Sequence, residues 1–232
     1  MSPTATLRQL VIGRRFNGPL DSANGGYACG TVAALVDGPA EVTLRRPVPL
    51  ETPLDGERHD DGHVTLTDPD GELIAEAVPA LPLDLEPPVR PTLAEARDAM
   101  RNGPTLPALL EHCYVCSRLR EDGLGAAFGP LAAHPHLSAA VVEAGRFATT
   151  EDMWGALDCT SYTPAVWHAT PSLLARMTAE QIAPIDPERP HVIVGWPLKT
   201  DGRKHHSASA VLDEHGTTLA VARALWIRLR PA

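Results

Sequence analysis

The sequence contains no long apolar run and little basic charge. No stretch approaches the roughly 18 apolar residues of a membrane-spanning helix, and residues 1–16 lack the apolar core and cleavage site of a signal peptide. A net charge of −9 argues against a nucleic-acid-binding surface. The 44% apolar content is typical of a folded domain. We therefore expect a globular protein in the cytoplasm, without nucleic-acid or membrane partners.

Cysteine is also scarce. The four cysteines are Cys29, Cys113, Cys116 and Cys159, and without an export signal we expect reduced thiols. Cys113-x-x-Cys116 directly follows His112, which is compatible with a zinc or redox site. A single pair is weak evidence. We therefore expect packing cysteines and no bound metal, and zinc analysis of the purified protein would decide.

Nucleotide-binding motifs are absent from the chain. It contains neither G-x-G-x-x-G nor a phosphate-loop lysine motif. We expect no separate cofactor.

Two segments resemble each other, residues 63–81 and residues 208–227. In each, alternating residues lead into an acidic turn that ends in Gly71 or Gly216, and alternating residues follow. This pattern predicts two β-hairpins.

A strand and a helix of small residues are predicted before the first hairpin. The strand covers residues 40–50 and the helix covers residues 25–37. Asn24 is a suitable N-cap, and Gly38 is a suitable stop.

The same order is predicted before the second hairpin. A strand covers residues 191–198, and a helix begins near Glu151. Thr149 and Asp152 have the spacing of a capping box, and Pro164 limits or kinks the far end of the helix.

The region between the two copies, residues 82–107, is proline-rich, with one short predicted helix. It is typical of a crossover linker. We therefore expect an α+β fold with two similar domains, residues 1–85 and 109–232, joined by a linker at 86–108.

This arrangement resembles the hotdog fold, and more closely a bacterial double-hotdog group of thioesterase-like proteins. The resemblance is carried by "CYVCSRLREDGL" (113–124), "MWGALDCTSY" (153–162), residues 191–227 and "SANGGY" (22–27). The last segment is similar to the His-Gly-Gly or Asn-Gly-Gly turn that opens the central helix in many acyl-CoA thioesterases.

The resemblance implies two tandem hotdog folds, each with an antiparallel sheet wrapped around a central helix. An acyl-thioester would lie between the helix of one half and residues of the other half. In similar proteins a cysteine pair opens the second hotdog strand, so we expect strand packing for Cys113 and Cys116.

Asn24, Gly25 and Gly26 open the first predicted helix. A helix N-terminus has unpaired N–H groups and partial positive charge, and glycines let a ligand approach the backbone. These amides would stabilise a developing oxyanion by roughly 3–4 kcal/mol, with Asn24 orienting the carbonyl or a water. The alternative is a glycine-rich helix start that packs tightly against a strand.

Asp158 lies in the second helix, between Leu157 and Cys159. A buried carboxylate is costly unless it is paired or functional, and burial would raise its pKa toward the range of a general base. In the resembling family, an acid on the central helix attacks the thioester or activates water. The alternative is a structural hydrogen bond or a salt bridge to a strand arginine.

The two halves are not equivalent in this respect. Asn24 stands where many relatives have histidine, and the only nearby acid, Asp21, is expected to be a turn residue. We therefore expect at most one of the two pseudo-symmetric sites to be competent.

Arg203, Lys204 and His205 follow a predicted turn. In hotdog thioesterases a similar Gly-Arg element contacts coenzyme A phosphates, and these residues would provide charge-assisted hydrogen bonds. The alternative is a solvated hairpin tip. His205 and His206 alternate faces on a strand, so at most one points into a site.

The sequence thus predicts an acyl-CoA thioesterase acting on an acyl-CoA or acyl-carrier-protein thioester, as a monomer or homodimer. The alternative is a double-hotdog protein that binds acyl-thioesters without catalysis. A dehydratase is disfavoured because the paired Asp and His of that class are not evident in either half.

Overall fold

A computed structural model describes residues 5–7, 9–167 and 171–230. Within them, eleven strands form one antiparallel sheet in the order β1-β3-β4-β5-β2-β8-β11-β10-β9-β7-β6. The strands are β1 (Ala5–Thr6), β2 (Ala40–Leu44), β3 (Asp55–Arg58), β4 (Val64–Thr67), β5 (Leu73–Pro79), β6 (Gly129–Leu131), β7 (His134–Val142), β8 (Ser172–Gln181), β9 (His191–Asp201), β10 (Lys204–Leu212) and β11 (Thr218–Arg228). The α-helices are α1 (Gly25–Ala33), α2 (Leu93–Arg101), α3 (Thr150–Ser161) and α4 (Pro164–Trp167), and two 3-10 helices cover Arg14–Phe16 and Ala108–Leu110.

The two halves of the chain share this sheet. Helix α1 packs on β2, β5 and β8, helix α3 packs on β7 to β11, and the pairing of β2 with β8 joins the halves. The main core lies where α1 and α3 pack against each other and against the sheet. This is the α+β double-hotdog arrangement that the sequence predicted, with an antiparallel sheet around a central helix in each half.

Both predicted hairpins are present, as β4–β5 and β10–β11. Gly71 (φ 80°) and Gly216 (φ 84°) occupy the left-handed region that glycine tolerates best. In each turn an aspartate side chain, Asp68 or Asp213, accepts two backbone N–H bonds. The same local chemistry closes both copies of the repeat.

The first predicted helix and strand are both shorter than expected. Helix α1 ends at Ala33 rather than residue 37. The Leu35 and Val36 amides donate to carbonyls three residues earlier instead of four, and Gly38 takes a φ of 87°. Strand β2 ends at Leu44 rather than residue 50, because Pro47 and Pro49 follow and proline cannot donate to a strand ladder.

The second predicted helix is confirmed. Thr149 and Asp152 form the capping box, with both reciprocal hydrogen bonds present. Pro164 starts the short helix α4.

The segment predicted as a linker also covers part of the sheet. Helix α2 packs on β6, β7 and β9, and Ala96 and Ala99 are fully buried in a second apolar cluster there. The domain limits at 85 and 109 stay a prediction. Across the described ranges, no helix has the length and apolar character to cross a membrane.

Candidate active site

A cavity of about 550 Å³ opens between the two halves. It lies where the start of α1, the end of α3 and strands β8 and β11 meet. This volume is in the usual range for small-molecule sites. Its apolar lining includes Leu44, Val48, Phe128, Tyr162, Leu174 and Trp226.

Asp158 lies in the wall of this cavity and is 2% exposed. Its Oδ2 accepts a hydrogen bond from the Gly26 amide at 2.8 Å, while its Oδ1 is buried and makes no hydrogen bond in the described part of the chain. Burial raises the pKa of Asp158 to about 8, against the opposing effect of the Gly26 amide. This direction moves the pKa of the carboxyl toward the range of a general base. No ion pair joins Asp158 to an arginine among the residues described.

The first turn of α1 has one amide without a protein partner. Asn24 caps the helix, with its Oδ1 accepting from the Tyr27 amide at 2.9 Å. The Gly26 amide is taken by Asp158. The Gly25 amide forms no hydrogen bond within the described ranges, and Gly25 lines the cavity. The Gly26 N–H donates to the Asp158 carboxyl, so carbonyl binding by Gly26 stays a prediction and has less support than binding by Gly25.

Glycine is favoured at positions 25 and 26 for different structural reasons. A Cβ on Gly26 would lie 2.3 Å from Asp158 Cβ and 2.5 Å from the Trp154 carbonyl oxygen, so the close contact of α1 and α3 requires glycine. A Cβ on Gly25 would lie 3.0 Å from the Leu174 side chain. The start of α1 thus packs tightly at both positions, with Gly26 against α3 and Gly25 against β8. Only Gly25 combines this packing with a free amide.

The Asn24 side chain is also used by the protein rather than left free for a substrate. Its Nδ2 donates to Cys113 Sγ at 3.6 Å and to Cys159 Sγ at 3.5 Å. Both ends of the amide have protein partners, and the orientation of a carbonyl or water by Asn24 stays a prediction.

Three cysteines meet beside Asn24. The sulfurs of Cys113, Cys116 and Cys159 lie within 4.8 Å of one another, and all three residues line the cavity. Hydrogen bonds from the Cys116 and Cys159 thiols hold the pKa of Cys113 well below its usual value. Cys113 and Cys116 lie in a turn rather than in the expected strand, because the Ser117 amide bonds back to the Cys113 carbonyl.

The cationic hairpin tip lies next to the cavity but does not line it. Arg203 and Lys204 are exposed, and Lys204 pairs with Ile227, which does line the cavity. His205 is 3% exposed, with ring nitrogens facing Thr200 Oγ1 at 3.2 Å and an Arg228 nitrogen at 3.3 Å. A substrate contact by these residues stays a prediction, and it has least support for His205.

Sequence reasoning missed two arginines at the cavity. Arg45 and Arg46 line it just after β2, and they form ion pairs with Glu76 and Glu72. Two adjacent arginines at a strand end before a proline were the available signal. Asp21 also lines the cavity and lies in a turn, as predicted.

Comparisons with solved structures support the fold over nearly the whole chain. A protein with a hot dog fold from Alicyclobacillus acidocaldarius is 15% identical, covering 98% of this chain and 97% of that chain (TM-score 0.56). Acyl-CoA thioesterase II TesB2 from Mycobacterium marinum is 13% identical, covering 91% of each chain (TM-score 0.54). The dehydratase domain of PpsC from Mycobacterium tuberculosis, solved with C12:1-CoA, is 16% identical, covering 99% and 97% (TM-score 0.60).

Comparison by sequence finds no relative: no family model matches the chain, and no curated protein matches it significantly. At these identities the likeness establishes the fold. The chain has the hotdog fold, and the predicted resemblance to hotdog proteins is confirmed at that level. Function has to be argued from the site.

Proposed function

We propose that this protein hydrolyses acyl-thioesters, with acyl-CoA as the first candidate substrate. One observation carries the proposal: a buried carboxyl on α3 lies beside an unpartnered helix-start amide on α1, inside an apolar cavity. Thioester hydrolysis needs a base for water, a donor for the oxyanion and a dry acyl site. The cavity provides residues for all three.

The chemistry follows from these positions. The thioester carbonyl oxygen accepts a hydrogen bond from the Gly25 amide. Asp158, held by the Gly26 amide at 2.8 Å, takes a proton from a water that attacks the carbonyl carbon. The tetrahedral intermediate then breaks its C–S bond, and Asp158 returns the proton to the departing thiolate. A free acid and a free thiol result.

The cavity also suggests how the substrate would be placed. Its mostly apolar wall suits an acyl chain. The phosphates of a coenzyme A or carrier-protein thioester would be held by Arg45 and Arg46 at the cavity and by Arg203 and Lys204 at the hairpin tip. His205 lies buried beneath that tip, between Thr200 and Arg228.

The comparisons support a thioester substrate without distinguishing hydrolysis from dehydration. One similar structure is an acyl-CoA thioesterase and another is a dehydratase domain with a bound acyl-CoA. No histidine lines this cavity among the described residues. Among the described lining residues, Asp158 therefore has no histidine partner of the kind that hotdog dehydratases use, and this favours hydrolysis.

Thiol release from short, medium, long and aromatic acyl-CoAs tests the proposal, with a thiol-reactive dye as readout. Asp158→Asn should lower kcat by about 10³-fold, within the usual contribution of a general base, and should leave the fold intact. Asp21→Asn, which alters an exposed turn carboxylate at the same cavity, is the matched control and should retain activity.

The other outcomes are equally informative. Acyl-CoA binding without thiol release across the panel would overturn hydrolysis in favour of a binding protein. Full activity in Asp158→Asn would overturn the assigned base.

A further inference from the structure

The three clustered cysteines have the spacing of metal ligands. Cys113 Sγ and Cys159 Sγ are 3.9 Å apart, and Cys116 Sγ lies within 4.8 Å of both. A zinc–sulfur bond is about 2.3 Å long, so two sulfurs on one tetrahedral zinc ion are about 3.8 Å apart. A disulfide needs an S–S separation of about 2.05 Å. The separation of Cys113 Sγ and Cys159 Sγ is close to the zinc geometry and far from that of a disulfide.

Two separate elements fix the three ligands. Cys113 and Cys116 are held in one turn by the bond from the Ser117 amide to the Cys113 carbonyl, and Cys159 lies near the end of α3. The three residues are 1%, 3% and 6% exposed. All three residues also line the cavity, which leaves room for a fourth ligand such as water.

Asn24 supplies the outer hydrogen bonds that thiolate ligands require. Its Nδ2 is a donor aimed at two of the three sulfurs, at 3.6 and 3.5 Å. Donors of this kind orient metal ligands and offset the negative charge on sulfur. The positive end of α1, which Asn24 caps, has the same effect.

We propose that Cys113, Cys116 and Cys159 bind one zinc ion at the wall of the cavity, with the fourth coordination position open to it. Binding exchanges the thiol protons for Zn²⁺ and releases them to solvent. The proposal goes beyond the hydrolase function and does not depend on it, since zinc content is measured without substrate. It differs from the sequence-based expectation of no metal.

Metal content and thiol accessibility test the site directly. Protein purified under reducing, chelator-free conditions should contain about one zinc per chain by elemental mass spectrometry. Cobalt added to the zinc-free protein should produce thiolate-to-metal absorption. Cys116→Ala should weaken cobalt binding more than tenfold. The matched control is Cys29→Ala, because Cys29 is equally buried but lies outside the cluster; it should bind cobalt normally.

The unmodified protein is sufficient to overturn the proposal, even if Cys116→Ala fails to fold. A zinc-free protein that gives no cobalt absorption would do so. A protein mass lower by two hydrogens, with the Cys113 and Cys159 peptides cross-linked, would show a disulfide in place of the metal site and would overturn the proposal. Zinc bound to a protein without thioesterase activity would support this inference while rejecting the hydrolase proposal.

Discussion

The two central helices begin in different ways. At the start of α3, the Asp152 carboxylate accepts from the Ala148 and Thr149 amides at 3.1 Å and from the Tyr114 hydroxyl at 2.8 Å. The Asp152 carboxylate is therefore satisfied by two amides of its own turn and by Tyr114. At the start of α1 the first turn contains no acid. The carboxylate that binds its amide is Asp158, from the other helix.

This difference explains why one helix start is a candidate site and the other is not. The capping box of α3 uses its polar groups for local stability. Helix α1 leaves the Gly25 amide free, and the helix packing that places Asp158 beside it joins the two halves. A double hotdog in one chain can thus specialise each half, one for the helix amide and one for the acid.

The largest effect should come from filling the space between the helices. Gly26→Ala places a methyl group 2.5 Å from the Trp154 carbonyl oxygen, and backbone cannot yield as a side chain can. We expect the free energy of unfolding to fall by about 3 kcal/mol or more. Urea denaturation measures it, and unchanged stability would show that the two helices are less closely packed.

Gly25→Ala should separate activity from stability. The new methyl group would meet the Leu174 side chain at 3.0 Å, so we expect a stability loss of only about 1 kcal/mol. It would also crowd the free amide. Since the loss of one oxyanion donor costs about 10²–10³ in kcat, we expect kcat to fall roughly 100-fold. Normal turnover would remove this amide from the mechanism.

The helix caps provide the next comparison. Thr149→Ala removes the cap of α3 and should cost about 1 kcal/mol of stability without changing turnover. Asn24→Ala removes the cap of α1 and the donor to two cysteines, so it should cost more. Thr150→Ala, an exposed neighbour of the same type, is the control. Equal losses in both cap variants would contradict the specialised role of Asn24.

Acid should destabilise the surroundings of the α3 start. His191 is 2% exposed and packs edge-on against Phe147, with ring centroids 5.6 Å apart. Burial lowers the pKa of His191, although the Asp186 and Asp213 carboxylates oppose this. The unfolded chain therefore binds the proton more tightly. The contribution of neutral His191 to the free energy of unfolding is complete above about pH 6.5. Below that pH the free energy of unfolding falls, by at most about 1.4 kcal/mol per pH unit.

His191→Gln should reduce the fall in the free energy of unfolding between pH 7.5 and 5, measured by denaturation at each pH. His215→Gln changes a histidine that is 80% exposed and should leave that fall as it was. If both variants lose stability with acid as the unmodified protein does, other groups control the transition.

The sequence predicts most where the determinants are local. The α3 cap needs only Thr149 and Asp152, and the hairpin turns need only an aspartate and a glycine close in the chain. The cysteine cluster was not predicted because Cys113 and Cys159 are 46 residues apart. Their meeting depends on how α3 packs. Asp158 could be singled out because an acid in the apolar part of a helix is costly wherever the helix packs.

The environments of Gly26 and of the arginines at the cavity also depend on packing between distant parts of the chain, so the sequence did not predict them. A glycine at a helix start is compatible with ligand approach and with helix packing, and only the 2.3 Å distance to Asp158 Cβ decides for packing. Arg45 and Arg46 carried no motif, and the early end of β2 placed them at the cavity.

The smallest effect should be seen at the polar end of the substrate. Arg46 belongs to the first half and Lys204 to the second, and each lies at or next to the cavity. Because exposed ion pairs contribute up to about 1 kcal/mol, Arg46→Ala and Lys204→Ala should each raise KM for acyl-CoA about two- to fivefold, with kcat unchanged. Lys199→Ala, on the exposed part of β9, is the control.

Acyl-pantetheine, which lacks the nucleotide phosphates, should show no KM change in either variant, because the proposed ion pairs are absent. An equal rise in KM with both substrates would mean that the substitutions disturb the cavity itself. A rise in Arg46→Ala alone would place phosphate binding in the first half, beside the free amide of α1, and leave Arg203 and Lys204 as a solvated hairpin tip. The second half would then contribute the acid and part of the acyl wall but no phosphate contact.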